Sequence, residues 1–175
     1  MIERGHAVDN ANRLVGRFLQ HFGLLEASVD EAISKITGLN WSVSAALCSY
    51  TPFAKKVEFV FLAEEQLGEK PDAERKKLIG ATKSSIHKLN EKRVVVAHST
   101  FVATDDGDIR FKRIVANGSL KVHDIVWTEA DVEELCRAAV TAAGNLTKLA
   151  EEMVPFRHKL DFSDARNSGY AVLFF

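Results

Sequence analysis

The residues with the most chemistry in their types and spacing stand at 91–101, EKRVVVAHSTF. Arg93 and His98 are separated there by three valines and an alanine. An imidazole that titrates near neutral pH serves as a general acid or base. A guanidinium beside it grips a phosphate bidentately and stabilises charge developing on phosphorus. Five residues advance an α-helix by roughly 500°, which leaves the two side chains roughly 140° apart. On an ideal helix they do not share a face. Arg93 is long, however, and His98 falls where the helix should be ending, so convergence stays open. The alternative is structural, with Arg93 a surface charge and His98 a C-cap that satisfies terminal carbonyls. Ser99 and Thr100 either hydrogen-bond a phosphate next to His98 or terminate the helix.

Other chemistries find little support. A di-iron bundle needs two Glu-x-x-His motifs on inward faces, and the one such spacing is Glu3–His6. No HExxH, calcium loop, glycine-rich phosphate loop or GxSxG elbow occurs. Cys48 and Cys136 lie far apart and outside any CxxC, which indicates neither a disulfide framework nor a thiolate metal site. No metal and no cofactor is therefore expected, and a reducing cytoplasm is the expected compartment. No apolar run approaches the roughly 18 residues of a membrane span. Charged and amide residues from Glu3 to Arg13 break up any signal-peptide core.

Apolar residues at 46% and charged residues at 27% are ordinary for a soluble globular chain. The net charge of −1 excludes a polyelectrolyte partner for nucleic acid. Local charge differs: Arg75–Arg93 holds seven cations against Glu91 alone, whereas Glu129–Glu152 is net acidic by four. The basic run is either a solvated helix face or a phosphate-binding surface.

The elements that must position these residues follow from apolar spacing. Val8, Ala11, Val15, Phe18, Phe22, Leu25, Val29, Ala32 and Ile36 recur at strict 3-4 spacing, predicting one long helix. Leu14, Leu19, Leu24 and Ile33 widen its stripe, as in a helix bundle. Gly38 and Asn40 supply its stop. Residues 41–50 are apolar and ambiguous, with a helical turn as one reading. A second helix is predicted from Thr51-Pro52 to Gly68, and a third from Pro71-Asp72 through the basic run. Asp105-Asp106-Gly107 and Asn117-Gly118 punctuate a β insertion of two or three strands at about 101–127. Thr128 with Asp131 resembles a capping box. It opens a last helix, on whose inward stripe Val132, Leu135, Ala139, Ala142, Leu146, Leu149 and Met153 fall and which Pro155 should stop. The predicted fold is all-α: a four-helix-type bundle with a β-hairpin inserted before the last long helix. One domain, 1–154, is expected, with a 155–175 tail docked on it.

The stretch IHKLNEKRVVVAHSTF, residues 86–101, resembles the signature of the HEPN superfamily, a helix ending in R-x(4–6)-H with small apolar residues before the histidine. The order of elements is similar as well, up to about Val154. The resemblance implies a helical bundle that dimerises through the motif-bearing helices, so that two arginines and two histidines converge across the two-fold axis. It also implies a metal-independent endoribonuclease, of the kind found in defence or toxin systems and neutralised by an antitoxin-like protein. Arg93 and His98 would then be catalytic, and Lys83, Lys88 and Lys92 would guide RNA. One departure stands out: active members usually carry a polar residue, often Asn, directly after the arginine, and this chain has Val94. Non-catalytic members also exist, so the resemblance equally implies a dimeric module that binds nucleic acid, nucleotide or protein.

Two carboxylates on the first helix, Glu26 and Asp30, stand one turn apart beside the apolar seam. They either orient Arg93 or His98 from the facing helix or are solvated flank charges. Trp41 and Trp127, at element ends, read as core plugs, with base stacking as the other role.

Overall fold

The computed structural model describes residues 2–67, 70–104, 106–116 and 120–157. Helix α1, Ile2–Thr37, carries the predicted seam, and every member of it from Ala11 to Ile36 is buried. Leu14 joins the core, but Leu19 and Leu24 face solvent, so the buried stripe is narrower than the apolar residues suggested. Gly38, at φ 67°, breaks the helix in a left-handed conformation suited to glycine.

Residues 41–50 form a complete helix, α2 (Trp41–Tyr50). Asn40 starts it, its side chain accepting from the Val43 N–H at 2.9 Å. The chain thus has five helices among the described residues, not the four expected. Helix α2 buries only Ser44 and Cys48. Trp41, predicted as a core plug, is 78% exposed, and Val43, Leu47 and Tyr50 of the same helix are exposed as well. Helix α3 runs Phe53–Leu67, and the Pro52 carbonyl accepts from Lys55 and Lys56 in its first turn. Its expected stop at Gly68 lies outside the described residues.

Helix α4, Ala73–Ala97, begins at Asp72, whose side chain accepts from the Arg75 N–H at 2.7 Å. The three valines near its end are poor helix formers, yet they stay helical because Val95 is buried and Val96 packs on the core. Strands β1 (Thr100–Ala103), β2 (Ile109–Ala116) and β3 (Leu120–Trp127) follow as an antiparallel sheet in that order. The β insertion therefore has three strands. Gly107, at φ 84°, makes the β1–β2 turn, and the β2–β3 turn at Asn117-Gly118 lies outside the described residues. Ile109, Phe111 and Trp127 fill the inner face, with Trp127 against the rings of Phe18 and Phe111. Trp127 is thus the core residue expected. β3, like β1, is an edge strand, and Val122, Asp124 and Val126 share its exposed face.

Helix α5, Glu129–Arg157, opens on the predicted capping box. Thr128 Oγ1 accepts from the Asp131 N–H at 3.1 Å, and the Asp131 carboxylate accepts from the Thr128 N–H at 2.8 Å. The helix continues through Pro155, which was expected to stop it. A proline removes one N–H, and only two helical residues follow it. The expected docking of the tail falls mainly on 158–175, outside the described residues.

The most extensive packing is α1 along α5. Arg13–Glu129, Arg17–Glu133 and Lys35–Glu151 pair across it at 2.9, 3.5 and 3.6 Å. All three pairs have one sequence offset, so the two helices run in the same direction and in register. The acidic segment is thereby matched to α1, with each exposed pair contributing about 0–1 kcal/mol. The larger contribution comes from Phe18, Phe22, Leu25, Leu146 and their neighbours, at about 1.5–3 kcal/mol per buried side chain. The protein is mostly helical with a small antiparallel sheet, and no helix among the described residues is long and apolar enough to cross a membrane.

Candidate functional site

Helix α4 carries both motif residues, but they go to different surroundings. His98 caps the helix: its backbone sits at φ −121°, ψ 18°, and its N–H donates to the Val94 carbonyl at 3.1 Å. The imidazole is exposed. Arg93 instead turns toward α1 and α3, half-buried in a cleft of about 460 Å³ that His98 does not line. The 140° separation expected from helical geometry is thus realised. Within one chain, the motif does not close into one site.

The cleft is built from four helices. Glu26 of α1, Cys48 at the end of α2, Lys56 of α3, and Asn90 and Arg93 of α4 all line it. Of the two carboxylates singled out in the sequence, Glu26 therefore shares the cleft with Arg93. Asp30 instead holds Lys56, with Nζ 2.7 Å from its carboxylate. The Lys56 side chain is only 9% exposed, the Asp30 side chain 38%. Among the described residues the Arg93 guanidinium and the Asn90 amide make no hydrogen bond or ion pair, and Asp30 is the one partner of the Lys56 ammonium. Burial pushes the Cys48 thiol up from its ordinary value, and the nearby Asp30 charge adds to that shift. Burial thus disfavours the Cys48 thiolate.

Lys56 and Asn90 were missed in the sequence. Lys56 sits one position before Val57 in an inward stripe, where a lysine must find a counter-charge. Asn90 stands one turn before Arg93, on the same side of α4. Those are the signals that could have found them.

The predicted basic track divides between two sides of α4. Lys88 and Lys92, one turn apart, line a second cleft of about 650 Å³ against β3 and α5, opposite Asp131 and Glu134. The Asp131 carboxyl is held below its ordinary value, chiefly by the N–H and hydroxyl of Thr128, with Lys92 a smaller influence. Lys83 lies elsewhere, its ammonium 5.8 Å from the centre of the Phe61 ring on α3. The five-residue step from Lys83 to Lys88 rotates them apart by the same 140°. Arg75, which opens the basic run, is committed to Glu64 at 2.8 Å and to Glu152. The Ser99 hydroxyl is buried and, among the described residues, without a hydrogen-bond partner. No three His, Cys, Asp or Glu side chains among the described residues are grouped as a metal ion would need.

No family model, no curated protein and no solved structure matches the chain.

Proposed function

We propose that the chain is a HEPN-type helical bundle that acts as a homodimeric, metal-independent endoribonuclease. The observation that carries this reading is the Arg93 guanidinium, half-buried in a polar cleft with its five N–H donors unused by the described residues. An arginine held in this way is prepared for an oxyanion supplied from outside. His98, exposed at the end of the same helix, is accessible to a second copy. Pairing the α4 ends about a two-fold axis would bring the His98 of one protomer toward the Arg93 of the other.

In such a site one imidazole takes the proton of a ribose 2′-OH, and that oxygen attacks the adjacent phosphorus. The P–O5′ bond breaks, and the second imidazole protonates the departing 5′-oxygen. Arg93 stabilises the charge on the pentavalent phosphorus. The products are a 2′,3′-cyclic phosphate and a 5′-hydroxyl. Lys88 and Lys92 would steer the RNA backbone, and a cytoplasmic antitoxin-like protein would restrain the activity.

The test is cleavage of mixed RNA in EDTA by wild-type protein and by His98→Ala, with end-group analysis. Cyclic-phosphate ends from the wild type alone support the nuclease. A second reading rests on Val94, which follows Arg93 where active members of the superfamily carry a polar side chain. In that reading the dimer binds RNA without cutting it, and the same assay returns intact RNA with salt-dependent affinity.

A further inference from the structure

We propose that Lys56 and Asn90 complete, with Arg93, a phosphate-binding subsite contained within a single protomer. The inference rests on the reading of Arg93 as a phosphate-holding group and extends it to two residues outside the motif.

Lys56 carries the argument. Burying an ammonium costs several kcal/mol even after relaxation, and a methionine or leucine would fill the same volume without that cost. The chain keeps a lysine there and supplies Asp30 to hold it at 2.7 Å. That contact uses one of three ammonium donors, and the ammonium belongs to a residue lining the cleft that also holds Arg93. Two cations therefore line one cleft against the single carboxylate of Glu26, because the charge of Asp30 is committed to Lys56. Asn90, on the wall with Arg93, adds an amide with no partner among the described residues. Ser49 and Thr51 also line the cleft, but their hydroxyls donate to the Ala46 and Leu47 carbonyls at 2.7 and 2.9 Å. The free donors are thus the ammonium, the amide and the guanidinium, a set suited to phosphate oxygens. At about 460 Å³ the cleft falls within the size range of small-ligand sites, so one phosphate with its attached nucleoside can be accommodated.

Phosphate affinity would then reside in each protomer and survive loss of His98, whereas cleavage would need both. Binding of uridine 3′-monophosphate and of a short oligouridylate is measured calorimetrically in a His98→Ala background, where no cutting occurs. Lys56→Met, Asn90→Ala and Arg93→Gln are added singly, and Lys148→Gln, at an exposed lysine of α5 that lines neither cleft, serves as the control. The expected result is binding by the parent, weakened about tenfold or more by Lys56→Met and by Arg93→Gln, and less by Asn90→Ala. Lys148→Gln should leave the mononucleotide unaffected. Urea titration of each variant confirms folding. Should Lys56→Met not fold, the half-buried Asn90→Ala decides the matter alone. Equal affinity in the parent and the cleft variants, or no binding at all, overturns the subsite. Lys56-dependent binding by a protein that never cuts RNA upholds the subsite while the nuclease fails. Cleavage by wild type with Lys56-independent binding does the reverse. Affinity for the oligouridylate alone assigns the phosphate to an RNA backbone, and comparable affinity for both assigns it to a nucleotide.

Discussion

Asp30→Asn should destabilise the protein more than Lys56→Met, although the two changes remove the same ion pair. With Asp30 neutral, an ammonium on a side chain only 9% exposed loses its counter-charge. Breaking a fully buried pair in this way costs about 3–5 kcal/mol. The Asp30 side chain is 38% exposed, so water reaches the pair and the expected loss falls to about 1.5–3 kcal/mol. With Lys56 replaced by Met, the remaining carboxylate is already partly hydrated, and a thioether of similar length fills the space. That change should lie within about 1 kcal/mol of zero. Urea titrations followed by far-UV circular dichroism at neutral pH give both values, and the double variant closes a thermodynamic cycle. It should regain most of what Asp30→Asn loses. If Lys56→Met costs as much as Asp30→Asn, the buried ammonium is not what Asp30 is there to hold, and the reasoning fails.

Thr128→Ala should cost about 1 kcal/mol, because it removes an acceptor for the first turn of α5 and a donor to Asp131; chemical denaturation measures it. The Asp131 carboxyl is depressed, so its contribution is present above the ordinary carboxylate range and is lost as pH falls through its lowered value. The stability advantage of wild type over Asp131→Asn should accordingly shrink below about pH 4. Cys48 and Cys136 are both buried and raised in pKa, chiefly by desolvation. Neither should react with a thiol reagent at pH 8 until urea is added, and the stability they confer should fall as pH rises beyond the ordinary thiol range. Trp41→Phe should leave blue-shifted fluorescence from Trp127, 3% exposed and poorly quenched by iodide, whereas Trp127→Phe should leave red-shifted, readily quenched emission from Trp41.

What the sequence made legible was local and periodic. The α1 seam, the stripe on α5 and the Thr128–Asp131 box depend on residues within a few turns of each other, and each is found where the spacing put it. Helix α2 was not legible because WSVSAALCSY is apolar on every side and has no period to read. Leu19 and Leu24 resemble core leucines on paper, and only packing against α5 decides which apolar neighbours of the seam are covered. The separation of Lys83 from Lys88 was available from helical arithmetic. The cleft was not, because Lys56 meets Asp30 across 26 residues, and Glu26 and Arg93, which line the cleft together, stand still further apart along the chain. Contacts of that kind are set by how helices pack, and one sequence does not display them.

The edge strand β3 has a consequence for solubility. β3 has a strand neighbour on one side only, and its outward residues would read as an uninterrupted valine row but for one position. Asp124 stands between Val122 and Val126, all three exposed. A charge there makes edge-to-edge addition of another strand unfavourable, since a newcomer would have to cover the hydrated, exposed ion pair that Asp124 makes with Arg110 at 3.7 Å. Asp124 thus acts as a gatekeeper against intermolecular β-pairing. The sheet that closes one end of the core would otherwise offer a starting point for fibrillar growth.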